Sequence, residues 1–252
     1  MMNKLIIGVA AALCLASSTA MAAEGVELPK HHWSFSGIFG TYDRAALKRG
    51  HQVYKEVCSA CHGLKRVAYR NLLEIGVSGD EIKEEAAAKE FPGPLNDDGE
   101  PTTRPGLPSD PMIGPFANDK AARAANNGAL PPDLSLIVKA RKGGADYIYA
   151  LMTGFGDAPA GMKMTEGMNY NAYFPGHQIA MPPPLSEGAV EYADGTKASV
   201  DQMAEDVSTF LTWASEPEMD QRKNLGIKVL LFLVVLTALL YAVKRQIWSR
   251  VH

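Results

Sequence analysis

The 252-residue sequence predicts a mainly α-helical domain with long loops, followed by one membrane-spanning helix near the C-terminus. Two segments, 44–57 and 199–214, repeat apolar residues at spacings of three and four, as amphipathic helices do. No segment alternates apolar and polar residues over the length of a strand. The run LGIKVLLFLVVLTALLYAV at 225–243 is apolar on every side and carries one charge, Lys228.

The N-terminus has the pattern of a secretory signal. Lys4 precedes the apolar run LIIGVAAALCLA, and the small-residue motif AMA ends at Ala22. We therefore expect residues 1–22 to be removed on export, together with Cys14. A lipoprotein signal at Cys14 is the alternative, but Leu13 stands where that signal has a small residue. The predicted exported domain is then 23–224.

The apolar run at 225–243 is predicted to anchor this domain in a membrane. Nineteen helical residues span about 28 Å, enough for a hydrocarbon core. Basic residues flank both ends, so their bias alone does not orient the helix. The signal sequence orients the helix, because it predicts that the domain lies in the bacterial periplasm and that residues 244–252 form a short cytoplasmic tail.

The exported domain is acidic, with a net charge of −8 against −3 for the whole chain. Such a charge usually serves solubility, and it also suits a basic soluble partner attracted by its field. It does not favour binding to nucleic acid.

Capping residues predict where the helices begin. Asp43 can cap a helix from Arg44 into the segment VCSACHG, and Ser199 with Gln202 forms a capping box before the second amphipathic segment. Asp133 can cap a helix over 134–142. The segment 145–153 is predicted to form a further helix that ends at Gly154.

Two segments between these helices are polar. The stretch GDEIKEEAAAKE at 79–90 is predicted to be an exposed helix with a Glu85–Lys89 ion pair. The stretch 91–117 contains seven prolines, which predicts irregular chain. Both are solvated surface or, alternatively, a docking surface.

The segment VCSACHG at 57–63 carries the chemistry. Cys58 and Cys61 are the only cysteines of the exported domain, and His62 follows directly. A disulfide or a redox dithiol is possible, but no βαβ pattern lies nearby. A zinc site would need about four ligands, and a second Cys/His pair is missing. Cys-x-x-Cys-His is the attachment signature of c-type haem, with His62 as one axial ligand of the iron.

The second axial ligand decides whether such a haem transfers electrons or binds small molecules. From the residues alone Met181 leads, because three prolines stiffen the chain directly behind it in MPPPL. His177 is the second candidate. Met162, Met164 and Met168 lie in a Gly-rich loop and stay open.

Four long stretches of the chain resemble the cytochrome c1 family, the haem-bearing subunits of bacterial cytochrome bc1 complexes (ubiquinol–cytochrome c reductases). The four stretches are residues 33–63, 122–155, 169–185 and 206–231, and they lie between the predicted signal sequence and the predicted anchor. The resemblance implies a class I cytochrome c-like haem domain with long loop insertions. It also implies one covalently bound haem c.

The resemblance assigns roles to individual residues. Cys58 and Cys61 match the thioether positions, His62 the proximal ligand and Met181 the distal ligand. Arg141 matches an arginine beside a haem propionate, where we expect a buried guanidinium. A cation at a helix C-terminus is the alternative role for Arg141. Residues expected to line the haem crevice are Tyr54, Asn126, Pro131 and Tyr147.

The resemblance implies electron transfer during ubiquinol oxidation, from a Rieske iron–sulfur protein through the haem to a soluble or membrane-bound c-type cytochrome. Cytochrome b, the lipid bilayer and a dimeric complex are the other implied partners. We find no catalytic acid, base or nucleophile. The alternatives are a self-standing membrane-anchored cytochrome, a haem subunit of a terminal oxidase, and a sensor or peroxidase with an open iron.

Overall fold

A computed structural model describes residues 26–251 and confirms a mainly helical fold. Its α-helices are α1 Arg44–Glu56, α2 Gly79–Ala87, α3 Asp119–Ala125, α4 Ala145–Thr153, α5 Val200–Ser215 and α6 Met219–Trp248. Short antiparallel strands pair as β1 Leu64–Ala68 with β4 Pro111–Met112, β2 Glu90–Leu95 with β3 Pro101–Pro105, and β5 Asn169–Tyr170 with β6 Gln178–Ile179. The predicted signal peptide, with Cys14, lies outside the described residues.

Helices α1 and α5 form the centre of the domain. The Asp43 carboxylate accepts the N–H groups of Ala45 and Ala46 and so begins α1 as predicted. A Cβ on Gly50 would lie 2.0 Å from the carbonyl oxygen of Asp206, so only glycine allows the two backbones to approach this closely. The largest fully buried side chains around this crossing are Trp213, Phe210, Leu47 and Leu64.

A buried ion pair joins the same two helices. The Asp206 side chain is fully buried, and Arg49 donates to both of its oxygens at 2.9 Å. Arg49 also donates to Asp194 at 3.0 Å, in the loop before α5. Ser199 caps α5 by accepting the N–H of Gln202, as predicted. The guanidinium therefore holds α1, α5 and the preceding loop together.

The helix predicted for 134–142 is wrong, because this segment is a run of turns. The Asp133 carboxylate does not act only as a cap: it accepts the N–H groups of both Ser135 and Lys65. The Ser135 hydroxyl in turn accepts the N–H of Arg66. These bonds attach the segment to β1, and within it only isolated turns form, closed by Ile137 N–H to Leu134 O and Ala140 N–H to Leu136 O. The segment 145–153 is the helix α4, as predicted, and ends at Gly154.

The proline-rich stretch is also more regular than predicted. Strands β2 and β3 form a two-stranded ribbon in which Pro92 faces Thr103 and Glu90 faces Pro105. Both strands of a ribbon are edge strands, so a missing proline N–H need not interrupt a ladder. At the tip, the Asn96 side chain accepts the N–H groups of Asp98 and Glu100.

Helix α2 contacts α1 through an ion pair that differs from the predicted one. Glu85 lies 3.3 Å from the Nε2 atom of His51 and 3.6 Å from the Nζ atom of Lys55. The predicted Glu85–Lys89 pair is wrong, because α2 ends at Ala87 and Glu85 faces α1 with only 11% of its side chain exposed.

In the described part of the chain, α6 is the one helix long and apolar enough to cross a membrane. Its first residue, Met219, is buried in the domain, whereas the residues from Leu225 onward are largely exposed. Only residues 216–218 separate it from α5. Glu216 in this junction binds Lys139 and Arg222, and its carbonyl accepts the Tyr42 hydroxyl at 3.1 Å.

Candidate haem site

The Cys-x-x-Cys-His motif lies in a single tight turn after α1. The N–H groups of Cys61 and His62 both donate to the carbonyl of Cys58, at 3.1 and 2.9 Å. Both cysteines are free thiols. Burial, with a smaller effect from Cys61, raises the pKa of the Cys58 thiol to about 12. The turn therefore presents two sulfur atoms and an imidazole side by side, with the Cys58 thiol neutral.

The imidazole of His62 is oriented by a backbone carbonyl. Its Nδ1 atom lies 2.7 Å from the oxygen of Pro132. A carbonyl can only accept, so Nδ1 carries the proton and Nε2 keeps a lone pair. Burial lowers the pKa of His62, and the Pro132 carbonyl offsets this effect only in part. His62 is therefore held in the neutral tautomer that binds a metal through Nε2.

Two of the predicted crevice residues contact the motif directly. The buried Tyr54 hydroxyl donates to the carbonyl of His62 at 3.1 Å, and burial raises the pKa of Tyr54. The Asn126 side chain accepts from the sulfur of Cys61 at 3.9 Å and donates to the Ala122 carbonyl. Tyr54 and Asn126 thus hold the adjacent residues His62 and Cys61 at the C-terminal end of the motif.

A strap at 131–134 runs beside the motif. Besides the Pro132 carbonyl, the N–H of Leu134 donates to the carbonyl of Gly63 at 2.8 Å. The predicted residue Pro131 is half-buried next to these contacts. A Cβ on Gly63 would lie 2.5 Å from the nitrogen of Gly114, so this glycine is required for close packing.

Sequence reasoning missed Pro132, Gly63 and Gly114. Pro132 acts through its carbonyl oxygen, which every residue type has, so its side chain gave no signal. Gly63 directly follows the motif, and a glycine there was the one sequence signal that another segment of backbone approaches closely.

Met181 is held by a hairpin of its own. It is half-buried against the apolar core, and its carbonyl accepts from the Asn169 side chain at 3.3 Å. Asn169 pairs with Ile179 in the β5–β6 ladder, so the hairpin fixes the backbone two residues before Met181. The role of Met181 as the second iron ligand stays a prediction.

His177, the other candidate ligand, lies in the same hairpin. It has a left-handed φ of 57°, which is uncommon for residues other than glycine. Its ring stacks on Tyr170, and its buried Nδ1 atom has no hydrogen-bond partner among residues 26–251.

Arg141 has an exposed side chain, and its role beside a haem propionate stays a prediction. It donates to the Ala140 carbonyl at 3.1 Å and lies beside the hydroxyl of Tyr147. Burial raises the pKa of Tyr147, and Arg141 opposes this effect. The alternative role for Arg141, a cation at a helix C-terminus, is wrong because 134–142 forms no helix.

This donor set fits a c-type haem better than a bare metal ion. In residues 26–251, no group of three or more His, Cys, Asp or Glu side chains could hold a metal ion. What the motif offers instead is two thiols for covalent attachment and one imidazole with Nε2 available. Met181, the predicted second ligand, is a half-buried thioether, a ligand type that occurs together with histidine in haem proteins.

Comparison with known proteins agrees with this chemistry. The family model described as the Cytochrome C1 family matches residues 33–251. The chain is 54% identical to cytochrome c1 of Rhodospirillum rubrum, over 96% of each protein. It is 51% identical to the cytochrome b-c1 complex catalytic subunit of Candida albicans mitochondria, over 93% of this chain and 82% of that protein. It is 49% identical to the mitochondrial cytochrome c1 heme protein of Saccharomyces cerevisiae, over 93% and 76%.

Proposed function

The chain belongs to the cytochrome c1 family, and from that premise we propose how its own residues serve electron transfer. It is the haem electron-transfer subunit of a cytochrome bc1 complex. We propose that Cys58 and Cys61 attach one haem c through thioether bonds, and that His62 and Met181 are its axial ligands. The haem supplies an iron that gains and loses one electron without exchanging ligands.

The orientation of His62 is the observation that carries this proposal. Its Nδ1 proton is committed to the Pro132 carbonyl at 2.7 Å, which leaves Nε2 available before any metal arrives. The Tyr54 hydroxyl holds the His62 carbonyl, so the imidazole and the two thiols keep their relative positions. A preorganised site of this kind needs little rearrangement when the iron changes its charge.

Apolar residues around the motif support a site with little water. Leu64 and Leu134 are buried next to Gly63, and Ile137 and Tyr147 are buried in the adjoining segment and α4. The proposed contribution of this chain to ubiquinol–cytochrome c oxidoreductase activity is electron transfer, with no catalytic acid or base of its own.

The proposed partners follow from the family. A Rieske iron–sulfur protein supplies the electron, a soluble or membrane-bound c-type cytochrome accepts it, and cytochrome b shares the complex, which is dimeric. We propose that α6 anchors the chain in the bacterial inner membrane with the haem domain in the periplasm. The exposed acidic tip of the β2–β3 ribbon, with Asp97, Asp98 and Glu100, suits a basic acceptor.

Substitution of the proposed second ligand tests the site. Met181→Leu keeps the size and apolar character of the side chain but removes the sulfur. We expect a sharply lower midpoint potential and an iron that binds carbon monoxide when reduced, because the thioether both raises the potential and closes the coordination sphere. Redox titration and the reduced spectrum under carbon monoxide measure both effects. An unchanged potential would exclude Met181, and the same substitution at the neighbouring candidate, Met168→Leu, is the control.

Purification separates the proposed function from its alternatives. A subunit of this complex should remain bound to a b-type cytochrome after mild detergent extraction. A self-standing carrier would purify alone, and an oxidase subunit would bring oxygen-reducing haems with it. Reduced-minus-oxidised spectra of the purified material distinguish the three.

A further inference from the structure

A tight loop at 35–40 presents two large apolar side chains to the outside of the domain. Ile38 and Phe39 are 70% and 81% exposed. The N–H of Ser36 donates to the Trp33 carbonyl at 3.0 Å and closes a turn at the start of the loop. A Cβ on Gly40 would lie 2.1 Å from the Ser36 carbonyl oxygen, so the chain doubles back closely on itself. Ile38 and Phe39 form the tip of this fold.

Lys223 of α6 fastens both ends of the tip. Its Nζ atom donates to the Phe35 carbonyl at 2.7 Å and to the Gly40 carbonyl at 2.9 Å. Lys223 precedes Leu225, the first residue of the long apolar run, by two residues, or about 3 Å along the helix axis. The loop is therefore attached to α6 at the level where the surface of α6 changes from polar to apolar.

The base of the loop is held by the domain. The Trp33 indole donates to Asp146 at 2.6 Å, and the ring stacks on Phe35 with 5.4 Å between centroids. The loop thus keeps its shape without a partner, so its apolar tip would be inserted with little loss of conformational freedom.

We propose that Ile38 and Phe39 insert into the interfacial layer of the lipid bilayer beside α6, as a second point of membrane contact. This inference rests on the proposed anchoring by α6. The exposed polar residues Ser34, Ser36 and Thr41 surround the tip, an arrangement that suits the headgroup region.

The size of the tip favours lipid over a protein partner. A specific protein interface buries about 800 Å² on each side. Two apolar side chains offer a few hundred Å² at most. Lipid contact needs no such area, because the anchoring helix already holds the loop at the membrane surface.

Environment-sensitive labels in the full chain test the proposal. Phe39→Cys is labelled with NBD after haem attachment and reconstituted into vesicles of phosphatidylcholine and phosphatidylglycerol. Iodide in the buffer and a nitroxide-bearing lipid are the two quenchers. Leu95→Cys is the matched control, since Leu95 is also 65% exposed but lies in β2, outside the loop that Lys223 fastens to α6. Leu233→Cys reports on the anchor.

We expect the label at position 39 to be quenched by the lipid nitroxide and to be several-fold less sensitive to iodide than the label at position 95. Iodide quenching as strong as at position 95, with position 233 protected, overturns the inference while the anchor stands. Protection from both quenchers at position 39 also overturns it, because protein and not lipid would then cover the tip. Iodide access at position 233 contradicts the anchor itself, and the inference with it.

Discussion

At the scale of single residues, His62 shows how a backbone group can determine the state of a side chain. The Pro132 carbonyl fixes the Nδ1 proton, and burial keeps the ring neutral. The main cause is a backbone carbonyl for the position of the proton and burial for the neutral state, and in neither case another ionisable side chain. A substitution at Pro132 that preserves the backbone would leave this bond in place, so the site tolerates changes of side chain better than changes of chain path.

The motif at 57–63 was predictable because its side chains carry the chemistry. Two thiols and an imidazole are recognisable by residue type and spacing alone. The turns at 134–142 were not predictable in the same way, because they depend on contacts with β1. The contact between Asn126 and Cys61, 65 residues apart in the chain, likewise depends on the folded chain.

The Arg49–Asp206 pair predicts a large loss of stability on substitution. Arg49→Met leaves a fully buried carboxylate without its cation, which costs about 3–5 kcal/mol. For a domain of this size we expect the thermal midpoint to fall by roughly 10 °C. The thermal midpoint is measured by heating the holoprotein while following the haem absorbance. The control is Lys83→Met, which removes an exposed ion pair with Asp80 and should change the midpoint little.

At the scale of elements, pairing between distant segments explains what the sequence did not reveal. The prolines of 91–117 suggested irregular chain, yet a ribbon with two edges accommodates them. Asp133 has the local signature of a helix cap, but its carboxylate also binds Lys65 in β1. Where caps had no such competitor, as at Asp43 and Ser199, the predicted helices α1 and α5 were confirmed.

The contact between α1 and α2 predicts a pH dependence of stability. Burial opposes ionisation of Glu85, but His51 and Lys55 outweigh it and hold the pKa of Glu85 below its ordinary 4.5. A carboxylate with a lowered pKa stabilises the fold above pH 4.5, and this contribution disappears as the pH falls through the folded value.

Glu85→Gln should therefore lower the thermal midpoint at pH 7, by the loss of about 1–3 kcal/mol for charged hydrogen bonds. The difference from the unsubstituted chain should shrink as the pH falls below 4.5. Thermal unfolding between pH 7 and pH 3.5 provides the comparison, with Glu84→Gln on the exposed side of the same helix as control. A difference that stays constant with pH would contradict the role assigned to Glu85.

At the scale of the whole molecule, the first turns of α6 pack on the helical domain, ahead of the apolar run that we propose as the anchor. Met219 is buried in the domain, and Asp220 accepts the N–H of Tyr42 and pairs with Arg44. Lys223 binds the loop at 35–40. The first turns of α6 therefore belong to the domain, although the helix continues without interruption to Trp248.

Truncation after Asn224 should release a soluble haem domain, because it removes the apolar run and keeps all three of these contacts. Truncation after Pro217 should also release it, but with a lower thermal midpoint. Membrane fractionation with a carbonate wash and thermal unfolding measure the two properties. A domain that stays in the membrane after the first truncation would place the anchor elsewhere, and equal midpoints would show that the first turns of α6 contribute nothing.

The junction at 216–218 has a consequence for the motion of the molecule. With three residues between α5 and α6, and Glu216 bound on both sides, the domain has no flexible tether. With α6 embedded as proposed, the domain rotates only together with the membrane part of the complex, slowed by the viscosity of the lipid. A diffusing acceptor therefore meets a face whose tilt to the membrane plane is nearly constant. The acceptor reaches the relative orientation needed for binding by its own rotation.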